Sequence, residues 1–188
     1  MTNLLNDIVL AVWFFCPAGV ANMVPIFAAH IPWLKKFNAP IDGGLRFRGK
    51  PLLGDHKTWR GLIVGVIMAI ITLWLQQIIV AHSGWLQQVT AEVDYAALPT
   101  VIVGTLFALG ALGGDAVESF FKRQHGIKPG HGWFPFDQID YIIGGALATA
   151  PFVQLQPIQY VLLIAIWLGV HIFASYVGFL LKLKDSPI

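Results

Sequence analysis

The chain has 188 residues, 56% of them hydrophobic and only 12% Asp, Glu, Lys or Arg, with a formal net charge of +2. Average soluble domains carry about 25% charged residues, and a mean hydropathy of +0.69 leaves too little charge to cover a water-facing surface. A water-soluble globular enzyme and a disordered chain are thereby excluded, and so weak a positive charge gives no argument for a nucleic-acid partner.

The length fits one domain, and residues 1–188 read as a single transmembrane unit. The start, MTNLLND, holds no Lys or Arg. A cleavable leader wants a basic start, so the first apolar segment is read as part of the mature protein. A spanning helix needs roughly 20 apolar residues. Five candidates follow in order: 4–27, 62–80, 97–121, 139–153 and 158–181. The first contains Pro17, Asn22 and Pro25, which predicts a kinked packing helix or a broken helix lining a cavity. The fourth falls well short of a ~30 Å hydrocarbon core.

Charge supports that short span. Lys35, Lys36, Arg46, Arg48, Lys50, Lys57 and Arg60 lie between spans one and two, Lys122, Arg123 and Lys128 between three and four, and Lys182 and Lys184 after five. With five spans every Lys and Arg falls on one side. The expectation is an all-α integral membrane protein of about five transmembrane helices, multi-pass in the plasma membrane. Its N-terminus is outside and its C-terminus cytoplasmic, with cytoplasmic loops at about 28–61 and 122–138. The outer segments are 81–96 and 154–156.

Span three ends in GGDAVESFFKRQHGIKPGHGWFPFDQID. Asp115, Ser119 and Lys122 share one helix face. Gly110, Gly113 and Gly114 leave room for close approach by a helix or ligand. Glu118 points off that face and reads as a structural ion-pair partner. Asp137 and Asp140, one turn apart at a helix start, can share a hard cation or simply cap the helix. Lys122, Arg123, Lys128, His125 and His131 lie among these acids, a mixture suited to a metal–triphosphate complex in a polar cavity at the cytoplasmic side. As ordinary topology anchors, the same basic residues have a simpler reading. A second polar cluster, GDHKTWRG at 54–61, abuts span two. There Trp59 sits at the interface, and Arg60 can hold an anionic headgroup or phosphate. His30, His82 and His171 read as structural. HExxH, Walker A, GxGxxG and GxSxG patterns are absent.

The elements Ser119-Phe-Phe-Lys122-Arg123, Lys128-Pro-Gly130 and Asp137-Gln-Ile-Asp140 together resemble the signature of the CTP-dependent phosphatidate cytidylyltransferase superfamily. With GDHKTWRG and the Pro17, Asn22, Pro25 pattern, the chain is similar to the CDP-archaeol synthase branch. The resemblance implies attack of a lipid phosphate, 2,3-di-O-geranylgeranyl-glycerol 1-phosphate or a phosphatidate-like lipid, on the α-phosphorus of CTP. The products would be a CDP-lipid and pyrophosphate, formed at an active site facing the cytoplasm. It implies Mg2+, with K+ as a further cation. Asp115, Asp137 and Asp140 would be metal-site acids, acting with Ser119 and Lys122 as the catalytic set. Asn22, Lys57, Thr58, Arg60, Lys122, Arg123, Lys128 and His131 would bind substrate.

Two other classes compete. A CDP-alcohol phosphotransferase needs DxxDGxxAR, but here Tyr141 and Ile142 follow Asp140. A small transporter would place ionisable groups along a path, whereas here they gather at one surface and no inverted repeat is visible.

Overall fold

The computed structural model describes residues 3–128 and 131–180. Pro129, Gly130, Leu181, Lys182 and Lys184 lie outside the described residues, and with them the charge expectation at the C-terminal end.

The described chain is mostly helical. Helix α1 spans Leu4–Ala28, α2 Trp59–His82, α3 Gly84–Val89, α4 Thr100–Gln124, α5 Phe136–Thr149 and α6 Pro157–Leu180. Four of these, α1, α2, α4 and α6, are long and apolar enough to cross a membrane. The expected fourth span folds as α5, whose 14 residues rise only about 21 Å. It is not among the helices able to cross by their own length. Helix α3 occupies the outer segment for which no element was expected. Ser83 caps it, its hydroxyl accepting from the Leu86 N–H at 3.3 Å.

Helix α1 begins where the Asn3 side chain accepts from the Leu5 N–H. It runs unbroken through Pro17 and Pro25, on the packed-helix side of the two readings. Pro17 is buried. A Cβ built on Gly61 would stand 3.1 Å from the Pro25 Cβ, so α2 lies directly against this proline. Packing of this kind compensates for the backbone donor that proline removes.

Helix α2 shows how the bundle meets its solvent. Its inward residues are Gly61, Gly65, Ala69, Leu73, Gln76 and Val80. Ile63, Ile67, Ile71, Trp74 and Ile78 are exposed at spacings of four, four, three and four, one helical stripe. Small residues inside and large apolar ones outside is the pattern of a helix surrounded by lipid. The core lies between α1, α4, α5 and α6. Phe14 and Phe107 meet edge to face with centroids 5.1 Å apart, and Phe15 meets Trp167 at 5.5 Å. Trp167 donates from Nε1 to the Ala11 carbonyl at 3.1 Å, which satisfies the polar end of a ring in apolar surroundings.

Helices α4 and α5 touch backbone to backbone. A Cβ on Gly110 would overlap the Gly144 carbonyl, one on Gly144 the Gly110 carbonyl, and one on Gly114 the Asp140 carbonyl. Of the three glycines expected to make room, Gly110 and Gly114 do so for α5, while a Cβ on Gly113 would meet nothing within 4 Å.

The 29–58 connection is ordered by its own chemistry. Strands β1 (Arg46–Phe47) and β2 (Lys50–Pro51) pair antiparallel. Arg48 (φ 51°) and Gly49 (φ 80°) both take positive φ in the turn, as a tight two-residue hairpin requires. Phe47 packs on Phe120, centroids 5.8 Å apart, and Lys50 donates to the Gln124 carbonyl at 2.5 Å. The hairpin thereby rests on the end of α4. Asp42 accepts from the N–H groups of Gly44 (3.0 Å) and Leu53 (2.9 Å). Ile41 N–H donates to the Lys57 carbonyl, and Trp59 N–H to the Ala39 carbonyl. These bonds fix the approach of Lys57 to the bundle.

Candidate functional site

Three chain segments converge at one end of the bundle: the loop entering α2, the last turns of α4 and the first turns of α5. The glycine contact sets their geometry. With no side chain at Gly110, Gly114 or Gly144, α5 lies close enough to bring Asp140 beside the acids of α4. One carboxylate oxygen from each of Asp115, Glu118 and Asp140 lies within 4.8 Å of the others. At that separation, and an effective dielectric near 20, each pair of ionised carboxylates repels by about 3 kcal/mol.

Two lysines answer part of this charge. Lys57 Nζ donates to Asp115 Oδ2 at 2.6 Å. Lys122 Nζ donates to Asp137 Oδ1 at 2.7 Å and stands 3.6 Å from Glu118 Oε1. Asp137 Oδ2 accepts from the Trp133 N–H at 2.6 Å, and Asp140 Oδ1 from the Tyr141 N–H at 2.5 Å. Asp140 Oδ2 and Glu118 Oε1 are buried and have no hydrogen-bond partner. Four carboxylates against two contacting lysines leave an excess of negative charge, with two oxygens unsatisfied. A hard divalent cation, which takes oxygen ligands and retains water, fits that donor set.

The sequence-expected residues divide accordingly. Asp137 bonds Lys122 and the Trp133 N–H and also lies against the Glu118 carboxyl. Of the expected acids, Asp115 and Asp140 come together, and Glu118 joins Asp115 beside Asp140. Their i, i+3 spacing on α4 is the signal that finds Glu118. Ser119 is buried beside this group. Thr58 is buried, and its hydroxyl accepts from the Gly61 N–H at 3.2 Å, capping α2. Arg60 donates from Nη1 to the Leu34 carbonyl at 3.4 Å, while its Nε is buried without a partner. Arg123 is buried. Asn22 is half-buried on α1, and Lys128 and His131 are exposed on the connection to α5.

The other histidines have local roles. His30 and His82 bond the carbonyls of Ile26 and Ile78, each at 2.8 Å, and His171 lies against Tyr141 with ring centroids 5.6 Å apart.

Comparison with known proteins matches residues 3–188 to the model of the CarS-like CDP-archaeol synthase family. Curated relatives called CDP-archaeol synthase include that of Thermococcus kodakarensis, 31% identical across 97% of this chain and 98% of its own length. That of Halobacterium salinarum is 31% identical across 98% and 99%, and that of Methanococcus aeolicus 32% identical across 92% of each. A solved structure described as an intramembrane enzyme for archaeal membrane lipid biosynthesis superposes with a TM-score of 0.68. It is 29% identical and covers 89% of this chain and 94% of its own. The chain belongs to the CDP-archaeol synthase family: it is a CTP-dependent nucleotidyltransferase on a multi-pass helical membrane scaffold.

Proposed function

We propose that this enzyme transfers CMP from CTP to an archaeal-type lipid phosphate, the ether-linked 2,3-di-O-geranylgeranyl-glycerol 1-phosphate or a close analogue, as a single domain over residues 1–188. The acidic group formed by Asp115, Glu118 and Asp140 between α4 and α5 carries this reading, because it couples uncompensated negative charge to flanking lysines at the end of a lipid-embedded bundle. A lipid phosphate oxygen bonds to the α-phosphorus of CTP. The bond from that phosphorus to the α,β-bridging oxygen breaks, its electron pair leaving with pyrophosphate.

The nucleophile is already anionic at neutral pH, so the barrier lies in bringing two polyanions together. Lys57 and Lys122 lower that repulsion and orient the phosphates. Asp115, Glu118 and Asp140 would hold Mg2+, which when bound polarises the phosphoryl oxygens. Asp137 holds Lys122 in position, and Ser119, Asn22, Lys128 and His131 belong to the substrate-facing surroundings. Arg60, tied to Leu34 beside the exposed Trp59, suits the lipid headgroup. The site faces the cytoplasm of the plasma membrane, the side to which positive charge is biased and on which CTP is found. Thr58 serves through its cap on α2.

The test offers purified enzyme CTP, Mg2+ and ether- or ester-linked lipid phosphate. Pyrophosphate release that requires CTP and the ether lipid is the expected result. Release with neither lipid phosphate would reject the reading. A transporter or a CDP-alcohol phosphotransferase would release none.

A further inference from the structure

The segment between α1 and the β1–β2 hairpin displays apolar side chains that no core covers. Ile31, Trp33 and Phe37 are exposed, Trp33 by 66% and Phe37 by 61%, more than the lipid-facing Ile63 and Trp74 at 53% each. The 3-10 turn Leu34–Lys36 buries no residue. Lys35 and Lys36 are exposed in that turn, and no ion pair reaches either of them among the described residues. Residues 28–41 contain no Asp or Glu. In water such a cluster is an unfavourable display of apolar surface. Beside a bilayer, aromatic rings next to cations are the composition of an interfacial element.

Two attachments set its depth. Helix α1 ends at Ala28 with Ile26 and Phe27 still exposed, so apolar surface runs up to the point where the segment begins. Helix α2 starts at Trp59, itself exposed, and Arg60 donates to the Leu34 carbonyl at 3.4 Å. Leu34 is therefore held level with the first turn of α2, where that helix enters the bilayer. The backbone suits this depth. The N–H groups of Leu34 and Lys35 donate to the Ile31 carbonyl at 3.1 and 3.0 Å, and the Phe37 N–H to the Leu34 carbonyl at 3.0 Å. Donors closed within the segment need no water. The hairpin that follows differs, since Phe47 rests on Phe120 and Lys50 bonds the Gln124 carbonyl. There protein answers the side chains.

We infer that residues 31–37 form an interfacial anchor that docks on the anionic headgroups of the leaflet α2 enters. Trp33 and Phe37 insert at the acyl boundary, and Lys35 and Lys36 pair with headgroup phosphates. The partner is an anionic membrane surface, because two cations with no acid near them in sequence lie between aromatic rings at bilayer depth. The anchor uses none of the acids or lysines between α4 and α5, and it stands whichever reaction those residues perform.

The full-length protein, labelled with 5-fluorotryptophan in nanodiscs of phosphatidylcholine and phosphatidylglycerol, tests this. Trp33→Phe and Trp59→Phe assign the two fluorine signals. A lipid spin-labelled near the top of its acyl chain should broaden the Trp33 signal more than a soluble gadolinium chelate does, as it should for Trp59. Stronger broadening by the chelate would put the segment in water and overturn the proposal. Protection from both agents would mean that protein covers it, this chain or a second copy, and overturns it equally. The charge is read separately, by electron paramagnetic resonance of spin-labelled phosphatidylglycerol against spin-labelled phosphatidylcholine. Lys35→Ser with Lys36→Ser should lower the preference for the anionic lipid by about two- to fivefold. That difference should shrink in about 1 M salt. An unchanged preference in the folded double variant overturns the docking on anionic headgroups.

Discussion

The two ends of the bundle both gather carboxylates, and they treat them in opposite ways. At the end formed by the start of α1, the 90–99 segment and the start of α6, the buried Gln159 donates from Nε2 to Asp7 Oδ1 at 2.8 Å and to Glu92 Oε2 at 2.6 Å. Gln156 adds a bond to Glu92 Oε1 at 3.1 Å. Amides answer these acids, and no Lys or Arg pairs with them among the described residues. At the other end, Asp115, Glu118 and Asp140 crowd together, lysines reach in and two acidic oxygens stay unsatisfied. A satisfied polar network rigidifies a fold. An unsatisfied one beside cations retains the capacity to bind.

The sharpest way to break this contrast is Asp140→Asn. It should lower kcat by about 10²–10³ or more, the scale of a lost charge-stabilising group, with no loss of thermal stability. Near-normal turnover would place the chemistry elsewhere. Glu118→Gln separates the geometry from the spacing of Asp137 and Asp140. Mn2+ affinity, read by electron paramagnetic resonance, should fall more for Glu118→Gln than for Asp137→Asn; the reverse order would return Asp137 to the cation group.

Gly114→Val probes what holds the acids together. Its side chain would overlap the Asp140 backbone, so unfolding should be easier by about 1–3 kcal/mol and turnover should fall with it. At the opposite end, Gln159→Leu leaves Asp7 and Glu92 without their shared donor. A cost of about 1–3 kcal/mol in stability, with kcat unchanged in the folded fraction, is the expected outcome. Loss of kcat there would erase the distinction between the two ends.

The smallest effect is a pH limb at Asp42. Burial works against its ionised form, but the N–H donors of Leu53, Gly44 and Gly54 outweigh burial and hold its carboxyl below the usual range. A lowered folded value means the stabilisation is present above the ordinary carboxylate pKa near 3.9 and is lost as pH falls through the folded value. Asp42→Asn should therefore be less stable at neutral pH and show a shallower acid limb in thermal unfolding measured down to low pH.

Much of this was legible in the residues. Long apolar runs locate α1, α2, α4 and α6, because a spanning helix must be apolar over most of its length. Helix α3 was not legible, since six residues are too few to show periodicity. In the site, the Asp115–Glu118 spacing was present in the sequence, but a single helix projected alone assigns Glu118 to Lys122. The structure keeps that pair at 3.6 Å and adds Asp140, whose approach is a tertiary fact set by Gly110, Gly114 and Gly144. Asp137 and Asp140 look equivalent in sequence. They part because the Trp133 N–H and Lys122 claim the first. The family resemblance came from the combined signature, not from periodicity or composition.

The glycine seam between α4 and α5 has a consequence for how such a chain can vary. Because the two helices lock in register through bare backbone, the seam itself sets the distance from Asp140 to Asp115 and Glu118. A side chain at Gly110, Gly114 or Gly144 would push the helices and their acids apart, so even a single methyl group on the seam is a change to the spacing of the acids.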